Sequence, residues 1–211
     1  MRIGLKFCCY VFAFVMLSPL ICAELTARRL ARRDVFFNAH AQLLSLIPGK
    51  MGWYFRNVYY RFVLNRCPLD CAFLFGTVFT HSEAEVGRNV WTGINTVIGR
   101  AIIGDWTMVS EGVHLISGKH QHGTSSSDIP FQLQPGTFDT IHIGRNCWIG
   151  ANAVVMRDVG DNCVVGAGAV VTQCFPANKI IAGNPARIVG EIPASQVGSV
   201  GDVATAANVS S

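Results

Sequence analysis

Acidic residues are nearly absent from the N-terminal third of this 211-residue chain, where Glu24 and Asp34 are the two acids before residue 67. Ten lysines and arginines lie in the same stretch, whereas residues 67–211 hold seven basic residues against eleven acidic ones. The near absence of negative charge favours contact between the N-terminal third and an anionic surface such as lipid headgroups.

Charge of either sign is missing from the stretch FCCYVFAFVMLSPLICA, residues 7–23. A helix of this length can just cross a thin hydrocarbon layer, at about 1.5 Å per residue. A cleaved signal peptide is the competing interpretation, because Arg2 and Lys6 precede the apolar run and Ile21-Cys22-Ala23 loosely resembles a cleavage site. We therefore expect a membrane segment over residues 1–25, which spans the membrane, lies on it or is removed.

An arginine cluster follows the apolar stretch at once and consists of Arg28, Arg29, Arg32 and Arg33. Such a cluster is normally retained on the cytoplasmic side of a membrane. It predicts a protein at the inner (cytoplasmic) membrane whose remaining chain faces the cytoplasm.

The eight cysteines include no CxxC pair, and Cys67 and Cys71 have neither a second pair nor nearby histidines at zinc-finger spacing. This pattern excludes a zinc ribbon or finger and favours free thiols in a reducing compartment. No metal and no nucleic-acid partner are expected.

Residues 26–70 combine arginines with many aromatic side chains and are interrupted at Pro48-Gly49. The pattern predicts basic, aromatic helices. They suit an interfacial helix at headgroup depth, and they equally suit a helical cap over an open end of the following domain; the two roles are compatible.

Eight six-residue units share one register in the second half of the chain. They begin at Val86, Thr92, Ile103, Val109, Ile143, Ile149, Val159 and Val165. Because successive strand residues point to opposite sides, the first and fifth positions of each unit face one interior. Glycine and asparagine between them tolerate the positive φ of a tight corner, so three units can close a triangular coil.

The segment IIAGNPARIVG, residues 180–190, resembles the end of the coil in the hexapeptide-repeat acyltransferases, in the branch of the maltose, galactoside and polysaccharide O-acetyltransferases. The resemblance implies a mainly β fold: a left-handed parallel β-helix over residues 71–190, behind the N-terminal helical region. It also implies a homotrimer and acetyl-CoA as acyl donor. The small, polar residues 191–211 are predicted to be disordered.

The repeat is interrupted over residues 116–141 by a segment rich in Gly, Ser and Pro, and long loops in repeat proteins are usually functional. The approach from Gly112 to His120 resembles the family's approach to its catalytic histidine. That resemblance implies that His120 removes the proton from the acceptor hydroxyl. His122, two residues later, is the alternative base, and Glu111, Asp128 or a carbonyl could hold the ring.

The family resemblance also implies a site for acyl-CoA on the outside of the coil. The positions that match it are Trp148, Gly166, Ala167, Thr172 and Arg187. Gln173 departs from the pattern, since the sugar O-acetyltransferases often have a lysine there that would face the CoA phosphates.

The sequence therefore predicts an acyl-CoA-dependent O-acyltransferase. The membrane segment suggests a saccharide or lipid-linked saccharide acceptor, as in surface or exopolysaccharide biosynthesis. Two alternatives remain: a γ-class carbonic-anhydrase-like metalloenzyme, whose three histidines would need a spacing other than His120-Gln121-His122, and a non-catalytic β-helix scaffold.

Overall fold

The structure is a computed structural model that describes residues 3–31 and 36–193. Three helices precede the strands: α1 (Ile3–Ala31), α2 (Phe37–Ser45) and α3 (Gly49–Val63). Helix α1 continues past residue 25, the expected limit of the membrane segment, and ends at Ala31. Arg32 and Arg33 lie outside the described residues, as does the tail from residue 194 onward.

Fifteen short strands and a short 3-10 helix (Phe131–Leu133) follow α3 in the described chain. Their bounds are β1 Ala72–Phe73, β2 Val78–Phe79, β3 Glu85–Val86, β4 Trp91–Thr92, β5 Val97–Ile98, β6 Ala101–Ile103, β7 Met108–Val109, β8 His114–Leu115, β9 Ile141–Ile143, β10 Trp148–Ile149, β11 Val154–Val155, β12 Val164–Val165, β13 Val170–Val171, β14 Lys179–Ala182 and β15 Arg187–Glu191. Consecutive strands do not pair with each other, except β14 with β15, which run antiparallel.

The strands stack into three parallel sheets, which we name face A (β3, β6, β9), face B (β1, β4, β7, β10, β12, β14, β15) and face C (β2, β5, β8, β11, β13). The chain visits faces B, C and A in succession, and after β9 it reaches face A through the isolated bridges of Val159 and Phe175. The predicted β-helix of hexapeptide repeats is thereby confirmed. It begins at β1, two strands before the first unit recognised in the sequence, which starts at Val86 in β3.

The interior contains the first and fifth residues of each unit, as the six-residue period predicts. Val86 and Val90 are buried, as are Ile149 and Ala153 in a later turn. The corners contain asparagines with positive φ, and their side chains form a ladder in which Asn146 Nδ2 donates to Asn162 Oδ1 at 3.0 Å. Apolar filling and amide ladders together hold successive turns in one register.

Trp106 occupies a corner in the same column as these asparagines and has a φ of 63°. A bulky residue in the left-handed region costs about 1–2 kcal/mol, whereas asparagine tolerates it. We expect Trp106→Asn to raise the free energy of unfolding by about 1 kcal/mol, measured by thermal denaturation. Trp106→Ala is the matched control because alanine keeps the backbone cost; equal stability of the two variants would contradict this account.

Helix α3 closes the N-terminal end of the coil. The ring of Tyr60 packs edge-on against Phe73 and Phe79 at centroid distances of 5.5 and 4.6 Å. Trp53 Nε1 donates to the carbonyl oxygen of Cys71 at 2.9 Å. The aromatic residues of this region therefore cover the open end of the coil, which is one of the two roles considered from the sequence.

The buried Arg56 joins α3 to α2 and to the first strand. Its Nε donates to Phe73 O at 2.9 Å, and its Nη1 donates to Leu44 O at 2.8 Å and to Ile47 O at 2.9 Å. Leu44 O lies in the last turn of α2, where carbonyls lack the regular helical donor, and it also accepts from the backbone N–H of Ile47 at 3.4 Å. Burial lowers the pKa of Arg56 to about 10, so it remains charged at neutral pH.

Candidate active site

The loop between β8 and β9 leaves face C and rejoins the coil on face A. At its base, the backbone N–H of Asp139 donates to Ser117 O at 3.0 Å, and Arg157 approaches the Asp139 carboxylate at 3.8 Å. Gly118 has a φ of 81°, which glycine adopts without steric cost. The two ends of the loop are thus joined to each other and to the edge between faces C and A.

Arg100 fixes the C-terminal part of the loop. Its Nη1 donates to Phe138 O at 3.4 Å while its Nη2 contacts Glu83 Oε1 at 2.9 Å. The Phe138 ring lies 5.4 Å from the ring of His81. His81 and Glu83 belong to the first turn of the coil, so the loop reaches back toward the helical end of the molecule.

Gln134 organises the interior of the loop and is 5% exposed. Its Oε1 accepts hydrogen bonds from the backbone N–H groups of Ser125 and Ser126, at 2.9 and 3.3 Å. Its Nε2 donates to Ser126 O at 2.8 Å and to Ile129 O at 2.7 Å. One amide side chain therefore forms hydrogen bonds with both backbone N–H and carbonyl groups of a turn that has no regular secondary structure of its own.

Replacing Gln134 by alanine is expected to loosen the loop without unfolding the coil, because it leaves several polar groups without partners at about 1–3 kcal/mol each. Amide hydrogen exchange should accelerate at Ser125 and Thr137, and kcat for CoA release from acetyl-CoA should fall. Gln132→Ala, an exposed glutamine in the same loop, is the control. Unchanged exchange at both amides would contradict the assigned role.

His120 and His122 both lie on this loop with exposed side chains. The His120 carbonyl accepts from Thr137 N at 2.7 Å, so the backbone is held while the ring projects into solvent. Within the described residues of one chain, neither ring is hydrogen-bonded to Glu111 or Asp128. The structure therefore positions the loop but does not select between the two histidines.

Trp148 lies on face B, where its strand pairs with Met108 on one side and Val164 on the other. Its Nε1 donates to Ser110 Oγ at 3.1 Å, and the residue is 51% exposed. The hydrogen bond orients the indole along the surface. A partly exposed and oriented aromatic ring of this kind can pack against an apolar ligand segment.

The other predicted donor-site residues extend from Trp148 toward the C-terminal end of the coil. Gly166 and Ala167 form the corner after β12, and a Cβ on Gly166 would lie 3.1 Å from the Cβ of Ala182. Ala182 pairs with Arg187 across β14 and β15. Trp148, Gly166 and Arg187 are thus brought together along face B, whereas Thr172 follows β13 on the edge from which the loop departs.

The structure consequently separates two groups of predicted residues within one chain. The histidines project from the edge between faces C and A, and the residues expected to bind CoA lie mainly on face B. An arrangement in which the loop of one subunit meets face B of another would unite them, as the family resemblance implies.

An open groove of about 530 Å³ on face A was not predicted from the sequence. His142 Nδ1 lies 3.6 Å from Asp158 Oδ1, and Arg145 Nε contacts Asp161 Oδ2 at 3.1 Å. The sequence did contain a signal for these two ion pairs: the residues of each pair are sixteen positions apart, which is the length of one turn in this part of the coil. His142 borders the groove beside the point where the loop rejoins the coil.

Among the residues that the structure describes, no three His, Cys, Asp or Glu side chains are grouped as metal ligands. His142 and Asp158 form a pair, and His120 and His122 are adjacent on the loop. The carbonic-anhydrase alternative therefore has no three-ligand set within the described part of one chain.

Stacked hexapeptide turns with an inserted loop define the class of this protein as a hexapeptide-repeat β-helix. A family described as "Hexapeptide repeat of succinyl-transferase" matches residues 140–173. A serine acetyltransferase of Synechococcus elongatus is 36% identical over 117 residues, which is 52% of this chain and 41% of the relative. The chain spans only 41% and 58% of the curated relatives it matches.

Solved structures agree with this class. A maltose O-acetyltransferase from Clostridium difficile superposes with a TM-score of 0.62 at 21% identity, over 76% of this chain and 88% of that one. A galactoside acetyltransferase in complex with coenzyme A gives a TM-score of 0.55 at 23% identity, over 74% and 80% of the two chains. The resemblance to the hexapeptide-repeat acyltransferases is confirmed, and at these identities the superpositions establish the fold.

Proposed function

We propose that this protein is an acyl-CoA-dependent O-acyltransferase that transfers an acetyl group from acetyl-CoA to a hydroxyl of a saccharide. The observation that carries the proposal is the loop over residues 116–141, which interrupts the coil, is tied at its base and presents two exposed histidines. A scaffold needs no such ordered, histidine-bearing insertion. The structural neighbour with bound coenzyme A supports an acyl-CoA donor.

The reaction follows from the properties of the groups. A neutral His120 imidazole takes the proton of the acceptor hydroxyl as its oxygen attacks the thioester carbonyl carbon. Backbone N–H groups of the adjacent coil stabilise the oxyanion until the C–S bond breaks and the imidazolium returns its proton to the CoA thiolate. The acyl group moves directly from donor to acceptor, so both substrates bind before either product leaves.

The active site is formed between subunits of a homotrimer in this proposal. Support comes from the separation of the loop histidines from Trp148 and Arg187 within one chain. A second copy that places its face B against the loop would supply the donor site and a partner for the histidine ring. Gln173, in place of a cation, weakens the phosphate contacts, and Arg187 carries more of them.

Trp148→Ala is expected to raise KM for acetyl-CoA by about tenfold, because apolar surface buried between the indole and the pantetheine chain contributes about 25 cal/mol per Å². Steady-state kinetics at saturating acceptor measure this effect. Trp106→Ala removes an exposed tryptophan at a corner of the coil and should leave KM unchanged. Equal KM values for the two variants would remove Trp148 from the donor site.

The acceptor is proposed to be a lipid-linked saccharide of surface or exopolysaccharide biosynthesis, at the cytoplasmic face of the inner membrane. This choice is supported by the apolar helix α1 and by the basic residues around it. It is also supported by the contacts of the loop with the first turn of the coil, next to the helical end of the molecule. The serine acetyltransferase relative favours a second candidate, the hydroxyl of a free amino acid.

Acetyl-CoA turnover with lipid-linked sugars, free sugars and L-serine tests the proposal directly. CoA release that requires a lipid-linked sugar is the expected result. Preferential use of L-serine would contradict the saccharide acceptor and support the amino-acid acceptor. No CoA release with any acceptor favours the scaffold. Stoichiometric zinc that is essential for activity would instead support the carbonic-anhydrase alternative.

A further inference from the structure

Helix α1 has an apolar surface that the rest of the described chain leaves uncovered. Within it, Ala13, Leu17 and Ile21 are buried against α3, while large apolar side chains on the other sides are exposed: Leu5, Phe7, Val11, Phe12, Phe14, Val15 and Met16. The stretch Gly4–Leu30 is long and apolar enough to cross a membrane, and little of it is buried against the rest of the described chain. It is therefore not a core helix of the described chain.

Two hydrogen bonds far apart on α1 connect it to one short segment of chain. Tyr10 Oη donates to Leu69 O at 2.8 Å, and Arg28 Nη2 donates to Val63 O at 3.0 Å. Tyr10 and Arg28 are about 27 Å apart along a helix at 1.5 Å per residue. Because Val63 and Leu69 both lie where the chain enters the coil, α1 must lie across the end of the coil and cannot extend away from it.

Aromatic contacts hold α1 on α3 between these two points. Tyr10 packs edge-on against Tyr54 at 4.8 Å, and Phe14 lies 5.2 Å from Phe62. Since α3 itself covers the first turn of the coil, α1 forms the outermost layer at that end. Its uncovered apolar side faces away from the β-helix.

The surroundings of α1 carry positive charge. The exposed basic residues of the described helical region are Lys6, Arg29, Lys50, Arg61 and Arg66. The single acidic residue described before position 67 is Glu24, which is 0% exposed. An apolar surface bordered by basic side chains without exposed acids matches the apolar interior and anionic headgroups of a lipid bilayer.

We propose that α1 lies in the plane of an anionic lipid bilayer and that the coil stands outward from the membrane surface. This inference rests on the membrane location included in the proposed function. It differs from the transmembrane arrangement considered from the sequence. A helix that crossed the membrane would have to give up the contacts of Tyr10 or Arg28 and separate from α3.

Spin-label depths along α1 test this orientation in the full-length chain, bound to vesicles of phosphatidylcholine with phosphatidylglycerol. Labels are placed singly at Phe7→Cys, Val15→Cys and the native Cys22, which share one exposed side. The other accessible cysteines are replaced by serine, and the remaining four are buried: Cys67, Cys71, Cys147 and Cys163. Oxygen and nickel-complex collision rates then report the depth of each label.

Equal depths at the three positions, within about 5 Å, are expected for an in-plane helix. A spread of about 20 Å from Phe7 to Cys22 would overturn the orientation while leaving membrane association intact. Labels exposed to water, with no vesicle binding, would overturn both. CoA release by the same samples is measured separately, so failure of the enzymatic proposal is distinguishable from failure of the orientation.

A paired variant tests the apolar surface itself. Phe7→Ser with Val15→Ser should lower the vesicle-bound fraction severalfold, because both side chains lie on the side proposed to face lipid. Ile188→Ser with Val189→Ser removes two exposed apolar side chains from β15, at the opposite end of the coil, and should leave binding unchanged. Equal binding by both double variants would contradict the assigned surface.

Discussion

Replacing His120 by alanine is expected to lower kcat for acetyl transfer by about 100- to 10,000-fold, while KM for acetyl-CoA changes little. A positioned general base contributes to the transition state in which the hydroxyl loses its proton, and not to donor binding. Initial rates of CoA release at saturating acceptor measure the loss. Added imidazole should restore part of the rate, which a merely structural role for His120 would not allow.

The controls for this experiment lie close by in the chain. His114→Ala removes an exposed histidine from β8, before the loop begins, and should retain full activity. His122→Ala should retain most activity if His120 is the base. The reverse pattern transfers the role to His122, and full activity in both loop variants would contradict histidine base catalysis.

Arg56→Met is expected to lower the free energy of unfolding by about 3–5 kcal/mol, the largest structural effect that we foresee, because hydrogen bonds from a charged group contribute about 1.5–3 kcal/mol each. The substitution preserves much of the apolar stem but removes the guanidinium that donates to Leu44 O, Ile47 O and Phe73 O. Each carbonyl then loses its guanidinium donor at about 1–3 kcal/mol, although Leu44 O still accepts from the backbone N–H of Ile47 at 3.4 Å. Helix α2 should separate from the end of the coil.

Denaturation in detergent, followed by the helical circular dichroism signal, measures this effect. Arg61→Met is the matched control, because Arg61 is exposed on the same helix and surface substitutions change stability by about 0.5 kcal/mol or less. Gly52→Ala offers an independent approach, since its Cβ would overlap the Ile47 carbonyl and crowd Arg56. Equal stability of Arg56→Met and Arg61→Met would contradict the proposed role.

The repeating half of the fold was predictable because its information is local. Alternation along a strand puts the first and fifth residues of a unit inside, and asparagine at a corner marks positive φ, so Val86, Val90 and Asn89 are interpretable without their neighbours in space. The same period places His142 one turn before Asp158, although that pair was not recognised from the sequence.

The candidate site was predictable only in part. The interruption of the repeat identified the loop and its two histidines, because a lost period is visible in a linear sequence. The buried role of Gln134 was not visible, since its partners Ser125 and Ile129 are set by how the loop folds on itself. The alternatives Glu111 and Asp128 depended on side-chain positions that spacing does not fix.

By itself, the sequence determined the coil, the position of the loop and the existence of an apolar, basic N-terminal region, because each depends on the order of side chains within a few turns. Only the tertiary structure decided how α1 is placed. The contacts of Tyr10 with Leu69 and of Arg28 with Val63 join residues 59 and 35 positions apart. Packing of α1 on α3 thus fixes the direction of α1. Hydropathy could not predict it, because hydropathy measures how apolar a helix is and does not identify the surface that the helix contacts.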